Sequence, residues 1–113
     1  MSARIENGAI QLLTRAGLDW TAKYPATAAA LAKLKVKAAY LDGELCGVRP
    51  DGVTSLELMQ QASERGGAGL VYFAFDPLEI EGEILMAVPL SERKSRLASL
   101  LYETAQRDQI QRS

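Results

Sequence analysis

The sequence predicts an α+β fold in which helices pack against a mostly antiparallel sheet. Three observations carry this prediction: an Asn-Gly pair between two short β-type runs, an alanine-rich run of helical length, and an apolar, aromatic run of strand length at residues 70–75. A length of 113 residues suits one domain with one core. No internal repeat or low-complexity linker divides the chain.

The first element is a β-hairpin formed by residues 3–6 and 9–14. Asn7 and Gly8 lie between the two runs. Asn-Gly is the strongest two-residue hairpin signal, because both central positions of a type I′ turn require a positive φ.

A glycine and a proline mark the next boundaries. Gly17 ends the second strand, and Leu18 and Trp20 are expected to pack back onto the core. Residues 25–34 are predicted to be helical, because alanine has the highest helix propensity and Pro25 suits the first turn, where an N–H is not needed.

The middle of the chain alternates strand and helix. A strand over residues 38–48, interrupted by Gly43, precedes a helix that begins at residue 54 or 55 and ends near residue 65. The run at residues 70–75 is expected to be a central strand buried on both faces. Pro77 should end it, because proline cannot donate a hydrogen bond to a β-ladder.

The last elements are a short excursion or hairpin at residues 80–84 and a helix from Ser91, as the capping residue, to about Tyr102. The residues expected on its buried face are Leu97, Leu100 and Leu101. We divide the chain into a folded part, residues 1–105, and a polar C-terminal tail, residues 106–113, that is expected to fray.

The charge balance limits the ways in which the chain could bind nucleic acid. It has 13 basic and 14 acidic residues and a net charge of -1, so it lacks the basic excess typical of DNA-binding proteins. A local patch of Lys33, Lys35 and Lys37 is the candidate for a DNA contact, and a solvated helix end is the alternative. We expect weak DNA binding or none.

The residue types exclude several classes of site. The chain has no histidine and one cysteine, Cys46, which excludes histidine-based catalysis, an internal disulfide and a cysteine-rich metal cluster. The first residues lack the apolar core of a signal peptide, and no apolar run reaches the length of a membrane span. A cytoplasmic protein without a membrane contact is expected.

Three segments carry groups that suit a nucleotide site. In Asp42-Gly43-Glu44 the glycine lets a ligand approach the backbone, and the acid can accept from a ribose hydroxyl or help hold a divalent ion; a turn with solvated acids is the alternative. Phe75 could stack on a nucleobase or simply fill the core. Arg15, beside a glycine turn, could clamp a phosphate or lie free on the surface.

The order and spacing of five segments resemble the adenylation domain of ATP-dependent DNA ligases, especially the bacterial ligase D type. The segments span nearly the whole chain: residues 3–8, 13–20, 41–45, 71–78 and 89–94. The resemblance implies a partial ATP-grasp-like nucleotidyltransferase subdomain, with a role in DNA repair and recombination and with ATP and Mg²⁺ as cofactors.

The resemblance also implies roles for three residues. Arg15 would match the arginine that contacts the nucleotide or the nicked-DNA phosphate, Glu44 the acid that binds the ribose and supports the metal, and Phe75 the aromatic that stacks on adenine. The family attaches AMP to a lysine in a Lys-x-Asp-Gly motif, which these 113 residues lack. Its later Glu-Gly-x-x-x-Lys motif is also missing, because no lysine follows Glu81-Gly82 at that spacing.

No catalytic residue is therefore assigned. The leading hypothesis is a truncated ligase adenylation subdomain, a pseudoenzyme that retains adenosine nucleotide binding without autonomous ligase activity. The alternative is a protein-interaction module whose exposed sheet edges pair in a homodimer or with a ligase-fragment partner. A third hypothesis is a gene product that begins upstream and includes the lysine motif.

Overall fold

A computed structural model describes residues 1–47, 51, 55, 69–102 and 109–112. Within these residues a six-stranded sheet has the order β2-β1-β3-β4-β5, with all these neighbours antiparallel, and β6 lies parallel to β4. The strands are β1 (Ser2–Glu6), β2 (Ala9–Leu13), β3 (Ala38–Gly47), β4 (Leu70–Ile80), β5 (Glu83–Ile84) and β6 (Ile110–Arg112). The helices are α1 (Pro25–Ala32) and α2 (Leu90–Tyr102), with a 3-10 turn at Thr21–Lys23. The predicted α+β class and mostly antiparallel sheet are confirmed.

Two tight turns join strands at both ends of the described sheet. Asn7 and Gly8 have φ angles of 49° and 83°, and Glu81 and Gly82 have 52° and 83°. Both pairs therefore have the positive φ angles of a type I′ turn. The first predicted hairpin is confirmed, and of the two alternatives for residues 80–84 the structure shows the hairpin. The Glu-Gly pair forms the turn between β4 and β5.

The connection from β2 to α1 agrees in part with the prediction. Helix α1 begins at Pro25 as expected, and Trp20 packs partly buried against the core. The expectation for Leu18 is wrong, because its side chain is 57% exposed. Leu18 lies in a turn where its N–H donates to the Thr14 hydroxyl, at 3.1 Å, and this turn extends beyond the strand.

The core lies on one face of the sheet and includes residues from both helices. Along β1, Ala3 and Ile5 are buried whereas Arg4 and Glu6 are exposed, so alternate residues divide a packed face from an open one. The helices contribute Leu31 and other apolar residues to the packed face. The open face is free to carry polar groups.

Strand β4 differs from the prediction in two ways. It continues through Pro77 to Ile80. Pro77 lies at an irregularity in the register with β3, and no described strand pairs with residues 75–78 along the opposite edge of β4. Proline is tolerated at such positions, where no ladder bond needs its missing N–H. The strand is not buried on both faces either: Tyr72 is fully buried, but Phe75 is 43% exposed.

Helix α2 begins one residue before the predicted cap. The N–H of Arg93 donates to the carbonyl of Pro89, at 3.0 Å, so Pro89 precedes the first turn and Ser91 lies within it. The helix ends at Tyr102, as predicted. Leu97 and Leu101 are buried, and Leu100 is partly buried against the core.

The C-terminal residues are more ordered than the prediction of a frayed tail suggests. Ile110–Arg112 pairs with β4 from Tyr72 to Ala74, and Ile110 is only 1% exposed. Burial of this isoleucine side chain stabilises the strand by roughly 1.5–3 kcal/mol. The helix predicted from residue 54 or 55 to about residue 65 lies outside the described residues. None of the described helices is long and apolar enough to cross a membrane.

Candidate functional site

A pocket of about 600 Å³ opens on the polar face of the sheet, where β1, β3 and β4 meet the turn after β2. Its lining includes Arg15, Glu44 and Phe75. These residues come from three segments that are far apart in the sequence. The structure therefore brings all three sequence-predicted site residues to one cavity, in a size range usual for small-molecule sites.

Strand β3 supplies the acidic side of the pocket. Asp42 and Glu44 are two residues apart and both line it, Glu44 exposed and Asp42 half-buried. The Asp42 carboxylate accepts a hydrogen bond from the N–H of Gly43, at 3.1 Å. Sequence reasoning did not select Asp42 or Tyr40 as site residues. The period of two along a strand, counted back from Glu44, is the signal that identifies both.

The carboxylates of Asp42 and Glu44 suit a magnesium ion only together with a ligand. No group of three or more acidic or cysteine side chains that could hold a metal occurs among the described residues. Magnesium bound to nucleotides takes one or two carboxylates plus phosphate oxygens and water. Two carboxylates beside one guanidinium, that of Arg15, would also repel a polyphosphate unless a cation offset their charge. The donor set therefore fits a magnesium–nucleotide complex.

Gly43 is required by packing beneath the pocket rather than by close approach of a ligand. A Cβ at this position would lie 2.5 Å from the carbonyl oxygen of Phe73 and 2.7 Å from Cζ of Tyr72. The Tyr72 hydroxyl donates to the carbonyl of Met1, at 2.8 Å. Burial, followed by the charge of Asp42, raises the pKa of Tyr72, so the phenol remains a neutral donor.

The exposure of Phe75 depends on an irregularity between β3 and β4. Asp42 lies opposite Asp76 and Gly43 lies opposite Ala74, which leaves Phe75 as the extra residue of a β-bulge. Bulges change the direction of a side chain, and here the ring is 43% exposed at the pocket. A ring face is thus available to a flat ligand.

Arg15 lies at the rim, in the turn after β2. The N–H of Gly17 donates to the carbonyl of Thr14 at 2.9 Å, and the N–H of Thr14 donates to the carbonyl of Leu18 at 2.9 Å. Gly17 has a φ of +85°, which glycine adopts without strain. These bonds hold the backbone on both sides of an exposed guanidinium, the group best suited to bidentate phosphate contact.

The remaining candidates lie outside the pocket. The three lysines of the candidate DNA patch follow α1, and none of them lines the pocket. They are Lys33, Lys35 and Lys37. Cys46 is buried; burial and then the charge of Glu44 raise the pKa of its thiol. The thiol is therefore protonated near neutral pH and is a poor nucleophile.

Comparison with known proteins identifies the family of the chain. Residues 1–113 match the family model of the ATP dependent DNA ligase domain. The chain is 42% identical over 102 residues to the multifunctional non-homologous end joining protein LigD of Pseudomonas aeruginosa, covering 89% of this chain and 12% of that protein. It is 31% identical over 100 residues to the non-homologous end joining DNA repair protein LigD of Mycobacterium tuberculosis, covering 88% and 13%.

Solved structures give the same result. Mycobacterial DNA ligase D complexed with ATP and MES superposes with a TM-score of 0.77 at 30% identity, over 97% of this chain and 35% of that chain. The ligase domain of LigD from M. tuberculosis gives a TM-score of 0.76 at 30% identity, over 99% and 36%. The chain thus spans about a third of these solved chains and a smaller share of the curated relatives.

Proposed function

This chain belongs to the ATP-dependent DNA ligase domain family, and from that premise we propose that its pocket binds an adenosine nucleotide. The chain would be the nucleotide-binding part of a ligase domain that acts in DNA end joining and repair. Because it spans 12% of the LigD protein from P. aeruginosa, joining of DNA ends would require further protein. The observation that supports the proposal is the convergence of Arg15, Glu44 and Phe75 on one cavity.

Each of the three side chains suits one part of a nucleotide. The exposed ring of Phe75 can stack on adenine, since aromatic rings pair with flat π-systems. The Glu44 carboxylate can accept a hydrogen bond from a ribose hydroxyl. The Arg15 guanidinium can donate two parallel hydrogen bonds to a phosphate.

Magnesium would be held by Asp42 and Glu44 together with phosphate oxygens of the ligand. When bound it would offset the phosphate charge and make the α-phosphorus more electrophilic. The positive charge of Arg15 would attract the phosphate chain and orient it. The bulge at Phe75 would keep the base at the surface of the sheet. These groups bind and orient the nucleotide; none of them is a nucleophile.

Covalent chemistry is not expected of these residues alone. The sequence contains no Lys-x-Asp-Gly, and among the residues that the structure describes no lysine lines the pocket. A nucleophilic lysine needs direct access to the α-phosphate. We therefore expect ATP to bind reversibly, without transfer of AMP to the chain and without autonomous ligase activity.

An amide-resolved NMR titration of the 113-residue chain with ATP and magnesium tests nucleotide binding. We expect shifts concentrated at Arg15, Glu44 and Phe75. Absence of shifts at millimolar nucleotide, or shifts concentrated around α1, would contradict the proposal. Incubation with ATP labelled at the α-phosphate tests the chemistry: label retained on the denatured chain would refute the expectation of reversible binding.

A second candidate function is a protein-interaction module. Three exposed apolar side chains lie close together in sequence, between the two-residue edge strand β5 and the start of α2. They are Ile84, Met86 and Leu90, which are 57%, 61% and 51% exposed. Grouped apolar side chains at a short sheet edge are typical of association surfaces. They could contact a second copy of the chain or a ligase-fragment partner.

Sedimentation equilibrium at several concentrations tests this second candidate. We expect a mass that rises with concentration and that Ile84→Lys returns to the monomer value. Leu18→Lys is the matched control, because Leu18 is as exposed as Ile84 but lies in the turn after β2 and not in β5. A monomer mass at every concentration would contradict self-association.

A further inference from the structure

Segment 89–94 is one of the five segments that carry the family resemblance, yet none of its residues lines the pocket. One of its side chains, Arg93, bonds to three residues in two other parts of the chain. Its Nε donates to the Asp76 carboxylate at 3.0 Å, and its terminal nitrogen donates to the carbonyl of Val88 at 2.7 Å and to that of Met86 at 3.4 Å. Arg93 thereby ties α2 and the preceding loop to β4.

The pairing of Arg93 with Asp76 is partly shielded from water. The two side chains are 19% and 28% exposed, in contrast to the more exposed pair of Arg96 with Glu83 on the same helix, at 35% and 56%. Shielding strengthens a charge-assisted hydrogen bond. The guanidinium presents its donors in a fixed planar fork, a geometry that the ammonium group of a lysine does not have.

Asp76, the residue of β4 to which Arg93 bonds, directly follows Phe75 in the sequence. The bulge leaves Phe75 without its own partner on β3. On the other side, β6 pairs only up to Ala74 and β5 pairs only from Glu79, so the described strands leave residues 75–78 unpaired there. Asp76 itself lies opposite Asp42 of β3, and the Leu78 carbonyl accepts the N–H of Leu85 at 2.9 Å. Phe75 therefore has no partner on either side among the described strands, and the bond from Arg93 to the Asp76 side chain adds a fixed point directly beside it.

We propose that Arg93 is a positioning residue for the nucleotide pocket: through Asp76 it holds the β-bulge in the form that turns the Phe75 ring into the cavity. Asp76 directly follows the extra residue of the bulge and lies opposite Asp42 of β3, so a bond that fixes the Asp76 side chain also restricts the backbone of the adjacent Phe75 and thereby the direction of its ring. This inference rests on the proposed nucleotide function only for its effect on binding. The effect on the ring itself is independent of any ligand.

The first measurement uses the nucleotide-free chain. We expect Arg93→Gln to change the aromatic ¹³C chemical shifts of Phe75 and to increase its ring mobility in relaxation experiments. Arg96→Gln is the matched control, because it removes the exposed ion pair of the same helix, and it should leave the Phe75 signals unchanged. Unchanged Phe75 signals in Arg93→Gln would overturn the proposal even if nucleotide does not bind at all.

The second measurement separates positioning from a general structural role. We expect Arg93→Gln to weaken AMP binding about tenfold while leaving the affinity for inorganic tripolyphosphate unchanged, because the base contact alone depends on Phe75. In a Phe75→Ala background the same substitution should have no further effect on AMP affinity. An equal loss for both ligands, or an undiminished loss in the Phe75→Ala background, would contradict positioning through the ring.

A milder variant keeps the test decisive if Arg93→Gln does not fold. Asp76→Asn preserves the size of the anchor and removes its charge, and it should reproduce the changes at Phe75 and in AMP affinity in smaller measure. Wild-type behaviour of Asp76→Asn in both measurements would overturn the proposal. If wild-type chain binds no AMP, the proposed function fails, while the ring measurement still decides the role of Arg93.

Discussion

Gly43 and Tyr72 are in contact at a distance that no side chain on residue 43 would permit. A Cβ on Gly43 would lie 2.7 Å from Cζ and 2.8 Å from the hydroxyl oxygen of Tyr72. The tyrosine is fully buried, and its hydroxyl donates to the carbonyl of Met1. The position of the two pocket carboxylates on either side of Gly43 thus depends on packing in the core below.

Gly43→Ala should destabilise the fold strongly. The new methyl group would overlap Tyr72 and the carbonyl oxygen of Phe73, and overpacking of a tight core costs about 1–3 kcal/mol or more. Urea unfolding measures the loss. Gly17→Ala is the control: its Cβ would meet open space at a positive φ, so only backbone strain of about 1–2 kcal/mol is expected. A Gly43→Ala chain more stable than Gly17→Ala would contradict the packing argument.

Phe75→Ala should weaken nucleotide binding with little effect on stability. Base stacking on an aromatic side chain contributes about 1–3 kcal/mol, so we expect the Kd for AMP to rise roughly tenfold or more, measured by calorimetry. The ring is already 43% exposed, which limits the stability loss. Ile84→Ala removes an exposed apolar side chain outside the pocket and should leave the Kd unchanged. Equal affinities for the wild type and Phe75→Ala would exclude stacking.

Glu44→Gln should reduce the gain in ATP affinity that magnesium provides. The amide keeps one acceptor oxygen for a ribose hydroxyl but loses the negative charge that a divalent cation prefers. Titrations with and without magnesium measure the gain, and we expect it to fall about tenfold. Glu79→Gln makes the same charge change at a residue outside this pocket and serves as the control. A magnesium effect of unchanged size in Glu44→Gln would remove Glu44 from the metal site.

Glu81 should make the fold sensitive to acid. Its carboxylate accepts the backbone N–H groups of Ala38 and Lys37, at 2.9 and 2.7 Å, and these bonds hold its pKa below the ordinary value of 4.5. Because the folded-state pKa is depressed, the stabilisation is present above the unfolded-state pKa. It is lost as the pH falls through the folded-state pKa.

The free energy of unfolding of Glu81→Gln should therefore fall less than that of the wild type between roughly pH 6 and pH 3. Urea unfolding at several pH values measures this difference. Glu6→Gln makes the same change of charge on an exposed side chain of β1, and it should keep most of the wild-type acid sensitivity. The same pH dependence in Glu81→Gln and the wild type would show that the carboxylate does not support the turn.

The amino-acid sequence by itself determined the local elements of this protein. Asn7-Gly8 predicted the first hairpin and Pro25 predicted the start of α1, because turn chemistry and helix entry depend on φ preferences and N–H groups of the residues concerned. Local signals also identified Glu44, directly after a glycine, and Arg15, two residues before one, as chemically suitable groups.

Tertiary pairing decided what local signals could not. Pro77 remains within β4 because the register with β3 is irregular there. Ile110 joins the sheet because its apolar side chain is buried where its strand pairs with Tyr72, a contact between residues distant in sequence. The bulge that exposes Phe75 and the bond from Arg93 to Asp76 also join segments distant in sequence. Registers and contacts of this kind follow from the packing of the whole core. The pocket therefore forms only in the folded chain, although the sequence alone identified three of its residues, Arg15, Glu44 and Phe75.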